Sequence, residues 1–454
     1  IMANLIIISI IVLIIFAITN SFKGAIIGIN IISVVFGLVY YYVIKFRGTA
    51  VLAVDIFSAT TAANVAGNYN YRMSYRCYLF VILTYVLSIY VLKLDRHNLF
   101  KEKKRLISVG IAILAVVCGF SLFIQSSRFD NSLKIKMFKP QESYRKYGDY
   151  LTFTHSIRYI KGHKPEGYSE DKVEQISAQY PGIKGNGKKP NIIMIMNEAL
   201  ADFSSISDIE TNEDYMPFIH SLKENTIKGS LYMSIFGSGT CNSEFEYLTG
   251  NSMSFLQNGI IAYTQVVKDK LPNMTYLLKE QGYKGNLALH PYLASGWNRV
   301  QVYDYMGFDH FYSETDFKNP TMYRKYISDE SDFKKIEELY ENRTEKDEPF
   351  YLFNVTMQNH GGFDKTYSNF HNDIQITDNH KNEQAEQYLS LVKKTDDAFK
   401  QLVEYFSKVK EPTIIVMYGD HQPAVQSSFY DSLFGKSAGS LTNEELMNKY
   451  RTPF

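Results

Sequence analysis

Disulfide chemistry has almost no material here. The 454-residue chain holds three cysteines, Cys77, Cys118 and Cys241, and the first two lie in or beside apolar runs. Cys241 stands alone in the polar part, so neither a disulfide framework nor a CxxC metal site can form there. A surplus of one charge is also lacking: 48 Lys plus Arg face 47 Asp plus Glu, a formal net charge of +1. That balance excludes the strongly basic face of a nucleic-acid binder. Tryptophan is reduced to Trp297, although tyrosine reaches 35. Repeats and low-complexity tracts are missing. The first apolar run has no basic region ahead of it and further runs follow it, so it does not read as a secretory signal.

What the chain has is a sharp division. The mean hydropathy of −0.18 averages a very apolar beginning, up to about Gln125, with a polar and mixed remainder. Residues 2–19, 25–44 and 106–125 approach or reach the ~20 apolar residues that cross a bilayer, and residues 77–92 are slightly shorter but uncharged. The densest basic cluster beside these runs is Lys93, Arg96, Lys101, Lys103, Lys104 and Arg105. It places that segment in the cytoplasm, so the fourth span exits and everything after Ser126 lies outside. Residues 51–66, which include Asp55 and Asn64, have two readings: a helix lying on the outer surface, or a fifth span that would reverse the topology. A central Asp is costly in lipid and favours the first. The start at Ile1 and the end at Phe454 both read as cuts. The expected organisation is a transmembrane region over 1–126, with about four spans and an outer interfacial helix. A juxtamembrane connector over 127–189 follows, then an α/β domain over 190–454 that is truncated at its C-terminus.

Residues 191–196 (NIIMIM), 413–417 (TIIVM) and 351–356 (YLFNVT) have the short apolar pattern of buried parallel strands. Helical patterns at 272–281 and 383–405 lie between them. Such alternation predicts a mainly parallel sheet covered on both faces. Ligands of these sheets bind beyond the carboxyl ends of the strands. The residues found there are Asn197-Glu198, Met357-Gln358-Asn359-His360-Gly361-Gly362 and Tyr418-Gly419-Asp420-His421-Gln422-Pro423. Glu198, His360, Asp420 and His421 thus reach one edge. A mixed carboxylate and imidazole set suits Mn2+ or Zn2+, and a carboxylate-rich set with an open position suits Mn2+ or Mg2+. Each residue also has a plain structural reading, Glu198 as a helix-start acid and Asp420-His421 as a turn. Their convergence favours a site, because buried strand ends seldom carry unpaired charge.

Two further segments carry candidate chemistry. In Phe236-Gly237-Ser238-Gly239-Thr240-Cys241-Asn242-Ser243-Glu244, glycines make a turn and a helix begins near Thr240. A hydroxyl there faces free N–H groups, which favour a phosphate or a developing alkoxide; the alternative is a simple N-cap. In His290-Pro291-Tyr292-Leu293-Ala294-Ser295-Gly296-Trp297-Asn298-Arg299, the arginine offers a fork for phosphate and the tryptophan a flat wall for a polyol. The alternative is a packed loop with Trp297 in the core, and the residues alone favour it.

Taken together, NEAL at Asn197, GTCNSEFEYLTG at Gly239, HPYLASGWNR at His290, MQNHGGF at Met357 and YGDHQP at Tyr418 resemble the lipoteichoic acid synthase family. These are membrane phosphoglycerol transferases of the alkaline-phosphatase/sulfatase superfamily. The likeness covers the layout of the membrane region and the motifs of residues 191–454. It implies an α-helical transmembrane region followed by an α/β sulfatase-like extracellular domain with a mainly parallel central sheet. The family usually has five spans, which accords with a cut at Ile1. By position, Glu198, Asp420 and His421 match the metal ligands, and Thr240 matches the nucleophile that is also the fourth ligand. His290, Trp297, Arg299 and His360 match residues lining the phosphoglycerol pocket, with His360 a proton shuttle as well.

The resemblance implies one divalent metal, Mn2+ ahead of Mg2+. The implied reaction moves glycerol phosphate from phosphatidylglycerol to a glycolipid or growing polyglycerolphosphate chain through a phospho-threonine, as in lipoteichoic acid synthesis. The implied place is the bacterial plasma membrane, in a multi-pass protein with its catalytic domain outside. Other readings stay open: a related phosphoethanolamine or glucan phosphoglycerol transferase, a metal-dependent phosphodiesterase or sulfatase-type hydrolase, and a non-catalytic lipid sensor. The CxPxR maturation signal of sulfatases is absent, because Asn242-Ser243-Glu244 follows Cys241. Cys241 departs from the small residue expected beside the nucleophile, which leaves attack by the thiol as a further alternative.

Overall fold

Long uncharged runs leave the backbone one way to pair its own N–H and C=O groups without water, the helix. The N-terminal part folds accordingly into α1 (Met2–Thr19), α2 (Phe22–Arg47), α3 (Tyr75–Lys93) and α4 (Lys103–Ile124). The first three are long and apolar enough to cross a membrane, and α4 has a shorter apolar stretch at Ile107–Phe123. Their surfaces expose Leu13, Ile31, Leu83 and Leu114, as helices that meet lipid do. The computed structural model describes the chain apart from residues 1, 48–49, 60–61, 64–65, 67–70, 94–102, 125, 127–128, 130–139, 161–166, 181–186, 257–258, 345 and 347. Arg96 and Lys101 of the basic cluster therefore lie outside the described residues.

Two units emerge, one of residues 1–56, 71–161 and 257–260, the other of 57–70, 162–256 and 261–454. In the first, part of the expected connector packs on the apolar helices. It forms α5 (Pro140–Tyr147) and α6 (Asp149–Ser156). Asn4 Nδ2 donates to Tyr147 O at 2.6 Å, while Asn4 Oδ1 accepts from Leu151 N at 3.0 Å. Leu52 and Val54 join Ile7, Phe129 and Leu151 in a small apolar cluster. The start of the 51–66 segment is therefore buried among side chains, and Tyr144 OH donates to Val51 O at 2.7 Å. A single 3-10 turn, Ala53–Ser58, follows, and much of the rest of the expected interfacial helix lies outside the described residues.

The second unit is built on β1 (Asn191–Asn197), β2 (Ser230–Tyr232), α7 (Thr240–Thr249), β3 (Asn286–Leu289), α8 (Arg299–Tyr305) and β4 (His310–Tyr312). It continues with β5 (Met322–Tyr323), β6 (Tyr326–Ile327), α9 (Asp329–Glu341), β7 (Tyr351–Val355), α10 (Glu383–Phe406), β8 (Thr413–Gly419) and β9 (Arg451–Pro453). Five strands form one sheet in the order β4-β3-β7-β1-β8, all parallel. Successive side chains of a strand point to opposite faces. Ile193, Ile195 and Leu352 accordingly pack with Ile336 and Leu339 of α9 and Leu389 and Leu402 of α10. On the other face Phe353 stacks on Tyr247 of α7 at 5.2 Å and meets Tyr303 of α8 edge-on. Both faces are covered, as a parallel sheet requires. The expected strands are β1, β7 and β8, and the expected helix at 383–405 is α10, capped by Asn382 Oδ1 on the N–H groups of Gln384 and Ala385. The fold is thus N-terminal apolar helices followed by an α/β domain with a five-stranded parallel sheet.

Candidate active site

The carboxyl ends of β1 and β8 are forced together by backbone. A Cβ on Gly419 would lie 1.8 Å from Leu200 O, so only glycine lets β8 meet the turn after β1. That turn contains Ala199 at φ 53, a left-handed conformation that costs a non-glycine residue ~1–2 kcal/mol. Hydrogen bonds hold it there. Ala199 N donates to Asp420 Oδ1 at 2.7 Å, and Tyr388 OH of α10 donates to Ala199 O at 2.7 Å. Glu198 N donates to Thr356 Oγ1, just beyond β7, at 3.0 Å.

This packing gathers Glu198, Asp420 and His421, all buried, with one ligand atom of each within 4.8 Å of the others. His421 Nδ1 donates to Gln422 O at 2.9 Å, which leaves Nε2 facing inward. That Nε2 is 3.2 Å from Asp420 Oδ2 and 3.8 Å from Glu198 Oε1. Neither Nε2 nor Oδ2 has a hydrogen-bond donor. Burial and the Asp420 carboxylate raise the Glu198 carboxyl well above its ordinary range, and burial raises Asp420 too. Two desolvated carboxylates and an inward-facing imidazole converge here, with His421 Nε2 and Asp420 Oδ2 left without a hydrogen-bond partner. A divalent cation fits that need, and the O,O,N set is one that Mn2+, Zn2+ or Mg2+ accepts.

Thr240 joins the same cluster. Gly239, at φ 94, occupies the cap position, so Thr240 is the first helical residue of α7 and its hydroxyl is not spent on capping. Thr240 Oγ1 donates to Glu198 Oε2 at 3.3 Å. Ser243, one turn on, docks the helix by donating to Asp420 O at 2.8 Å. Cys241 is fully buried, and burial pushes its thiol well above the ordinary value. It holds its proton and is no thiolate nucleophile.

The residues expected to line a pocket divide. His290 is buried, with Nδ1 donating to Val355 O at 2.7 Å. Burial, aided by the Arg299 charge, lowers its pKa well below the ordinary value, so the ring is neutral and Nε2 is an acceptor. His360 is half-buried and is pushed down to about 3 by burial and by Arg324. Its Nδ1 is 3.0 Å from Tyr326 OH, and Arg324 Nη2 donates to His360 O at 2.6 Å. Trp297 is half-buried, and both it and Asn298 have left-handed backbones, φ 56 and 62. Such strain clusters at functional sites.

Arg299 corrects the expectation of a free phosphate fork. Its Nε and Nη2 are committed to Glu244 Oε1, at 3.0 and 2.6 Å. Tyr303 and Tyr263 hydroxyls donate to Glu244 Oε2 at 2.5 and 3.1 Å. Glu244 was visible in the sequence only as a first-turn acid. The usable signal was spacing: Thr240 and Glu244 are four apart on α7, as are Arg299 and Tyr303 on α8, so each pair shares a face. Arg299 still acts on Glu198 as a nearby positive charge.

Residues 190–454 match the family model described as Sulfatase. A putative cyclic beta-1,2-glucan modification protein of Rhizobium meliloti (strain 1021) is 30% identical over 340 residues, 72% of this chain and 51% of that protein. A lipoteichoic acid synthase of Staphylococcus saprophyticus subsp. saprophyticus is 26% identical over 262 residues, 56% of this chain and 38% of that protein. Among solved structures, the Streptococcus pyogenes phosphoglycerol transferase GacH in complex with sn-glycerol-1-phosphate is similar, with a TM-score of 0.53 and 25% identity. That likeness covers 64% of this chain and 76% of GacH. The chain thus spans about half the length, 51%, of the first relative and less, 38%, of the second. The likeness to the synthase is the shorter and weaker of the two, so the resemblance read in the motifs stands at the level of the superfamily.

Proposed function

The chain belongs to the sulfatase family, and from that premise we propose that it is a metal-dependent phosphoglycerol transferase of the bacterial plasma membrane. Glycerol phosphate passes from phosphatidylglycerol to a hydroxyl of a glycan or lipid-linked acceptor through a phospho-threonine. The observation that carries this reading is the Thr240 hydroxyl, 3.3 Å from Glu198 and beside Asp420 and His421. Glu198, Asp420, His421 and Thr240 would hold one divalent cation, Mn2+ first and Mg2+ second. Bound there, it would lower the hydroxyl pKa of Thr240 and offset charge on the phosphoryl oxygens. The similar GacH, whose structure holds sn-glycerol-1-phosphate, supports the headgroup, and α1 to α3 are suited to hold the chain at its lipid substrate.

In the first step Thr240 Oγ1 attacks phosphorus in line. The O–P bond to diacylglycerol breaks, and the proton lost by Thr240 balances the one gained by the leaving oxygen. In the second step the acceptor oxygen attacks the same phosphorus, the Thr240 O–P bond breaks, and the acceptor's proton returns to Oγ1. His360 can carry these protons only where the phosphoryl charge raises its pKa from the value of about 3 that burial and Arg324 impose. The bare Nε2 of His290 suits a glycerol hydroxyl rather than a phosphate anion, because it accepts and cannot donate. Trp297 supplies the apolar side of the pocket. Arg299, paired with Glu244, acts as a fixed positive charge.

Two acceptors divide the reading. A growing polyglycerolphosphate chain would make the protein a lipoteichoic acid synthase. A glucan would make it a glycan-modifying transferase, and the longer match at 30% identity supports that acceptor. The test uses the full chain in proteoliposomes with Mn2+, headgroup-labelled phosphatidylglycerol, and either a diglycosyl lipid or a β-glucan. Mass spectrometry is expected to find diacylglycerol, a glycerophosphoryl adduct on the Thr240 peptide, and glycerol phosphate on one acceptor. Release of free glycerol phosphate alone would make the protein a phosphodiesterase instead.

A further inference from the structure

Behind the metal-ligating edge lies a carboxylate that the reaction above does not use. Asp329, the first residue of α9, is fully buried. Its Oδ2 accepts from Thr395 Oγ1 at 2.6 Å and from Asn197 Nδ2 at 3.0 Å. Asp329 N donates to Gln358 Oε1 at 2.9 Å. The start of α9 adds the positive end of a helix dipole.

The direction of every neighbouring hydrogen bond follows from this one anion. An ionised carboxylate only accepts. Thr395 has a single hydroxyl proton, and it goes to Asp329. Its lone pairs then accept from Gln358 Nε2 and Asn359 Nδ2, both at 3.1 Å. Asn197 must turn Nδ2 to Asp329, so its Oδ1 is left to accept from Asn359 Nδ2 at 3.0 Å. Reversing any of these members would set two donors or two acceptors against each other.

We infer that Asp329 is a positioning residue of the metal centre: it fixes Asn197, the residue that precedes Glu198 at the end of β1, and, through Asn359, the loop that carries His360. The inference rests on the reading of Glu198 as a metal ligand. Partners of this kind set ligand orientation without touching the ion. Asp332, one turn further along α9, provides an internal contrast. It is equally buried but accepts from Asn354 Nδ2 at 2.8 Å, within the layer between β7 and α9 and away from Glu198.

The test is Mn2+ binding to the full chain in detergent, by equilibrium dialysis. Asp329→Ala is expected to weaken binding ~10- to 100-fold. Asp329→Asn is expected to recover most of it: the amide oxygen takes the place of Oδ2, and the NH2 falls where Oδ1 has no hydrogen-bond partner among the described residues. Thr395→Val removes the hydroxyl that donates to Asp329 Oδ2 and is expected to weaken binding as well, which carries the test if Asp329→Ala does not fold. Asp332→Ala is expected to lower the melting temperature and leave Mn2+ affinity as in the wild type. Wild-type affinity in Asp329→Ala or in Thr395→Val overturns the inference. So does an asparagine variant no better than alanine, or equal weakening by Asp332→Ala. A wild-type chain that takes up no Mn2+ overturns the metal reading itself, and the inference with it.

Discussion

Glu244 and Arg299, 55 residues apart in sequence, meet as a buried ion pair in which Nη2 and Oε1 are 2.6 Å apart. Both side chains are almost fully excluded from solvent, at 0% and 3% exposure, so neither charge has water to fall back on. Glu244→Gln strands the guanidinium and is expected to cost ~3–5 kcal/mol. Glu244→Gln combined with Arg299→Met removes both charges and should recover much of that loss. Thermal unfolding of the two variants side by side checks this; a double variant less stable than the single one would count against it.

Thr240→Ala is expected to reduce diacylglycerol release from phosphatidylglycerol by at least ~1000-fold, because no other hydroxyl replaces the attacking oxygen. Mn2+ uptake is expected to persist, since Glu198, Asp420 and His421 remain together without Thr240. Thr240→Ser keeps the oxygen and should restore part of the activity. Diacylglycerol release by Thr240→Ala at the wild-type rate would sink the phospho-threonine route.

Gly419→Ala tests the backbone contact that joins the two ligand strands. The added methyl would meet Leu200 O at 1.8 Å, and a backbone carbonyl has nowhere to retreat. Such overpacking costs ~1–3 kcal/mol or more, and relief requires Asp420 to move off Ala199 N. Loss of Mn2+ affinity together with a lowered melting temperature is the expected outcome. Gly435→Ala, where added Cβ has open space but φ is 66, should cost stability alone.

His220 gives the second unit a pH-dependent element away from the metal. The Asp202 carboxylate, 3.7 Å from Nε2, and a hydrogen bond to Asp214 at 2.9 Å raise its pKa to about 9, against the desolvation that lowers it. Against burial, the nearby His220 ring and hydrogen bonds from Tyr215 and Ser204 bring Asp202 down to about 2. A folded-state pKa above the ordinary 6.5 means stability that is fully present below about pH 6.5 and fades as pH rises through about 9. His220→Gln should therefore melt earlier than wild type near pH 6, and the gap should close above about pH 9. A constant gap across that range would assign His220 a role that does not depend on its charge.

Sequence reasoning worked where one local pattern decided the outcome. β1 and β7 are central strands with buried apolar runs, and β8 is an edge strand whose last three residues are buried; strand-end logic led from them to Glu198, Asp420 and His421. It missed β3 and β4, which are four and three residues long and include Asn286 and His310. At that length, pairing with a neighbour rather than intrinsic pattern makes the strand. Glu244 and Asp329 were illegible as buried acids for a related reason. An acid near the start of a helix looks the same whether it faces water or a partner far along the chain, and only the tertiary fold tells the two apart. The apolar start of the 51–66 segment packs in a local core with Phe129 and Leu151, which hydrophobicity alone cannot separate from a membrane surface.

The ladder that pairs β1 with β8 sets Asn197 opposite Gly419, so Glu198 and Asp420 each stand one residue past the last rung. Distances between the metal ligands are therefore quantised in whole residues. Inserting one residue within β8 would carry Asp420 forward by ~3.3 Å and turn the strand's side chains to the other face. Substitutions can tune this centre, but length changes in its two strands cannot. In the lineage of this chain, insertions and deletions should accumulate at the opposite ends of the strands and in the loops before them, leaving the final rungs at constant count.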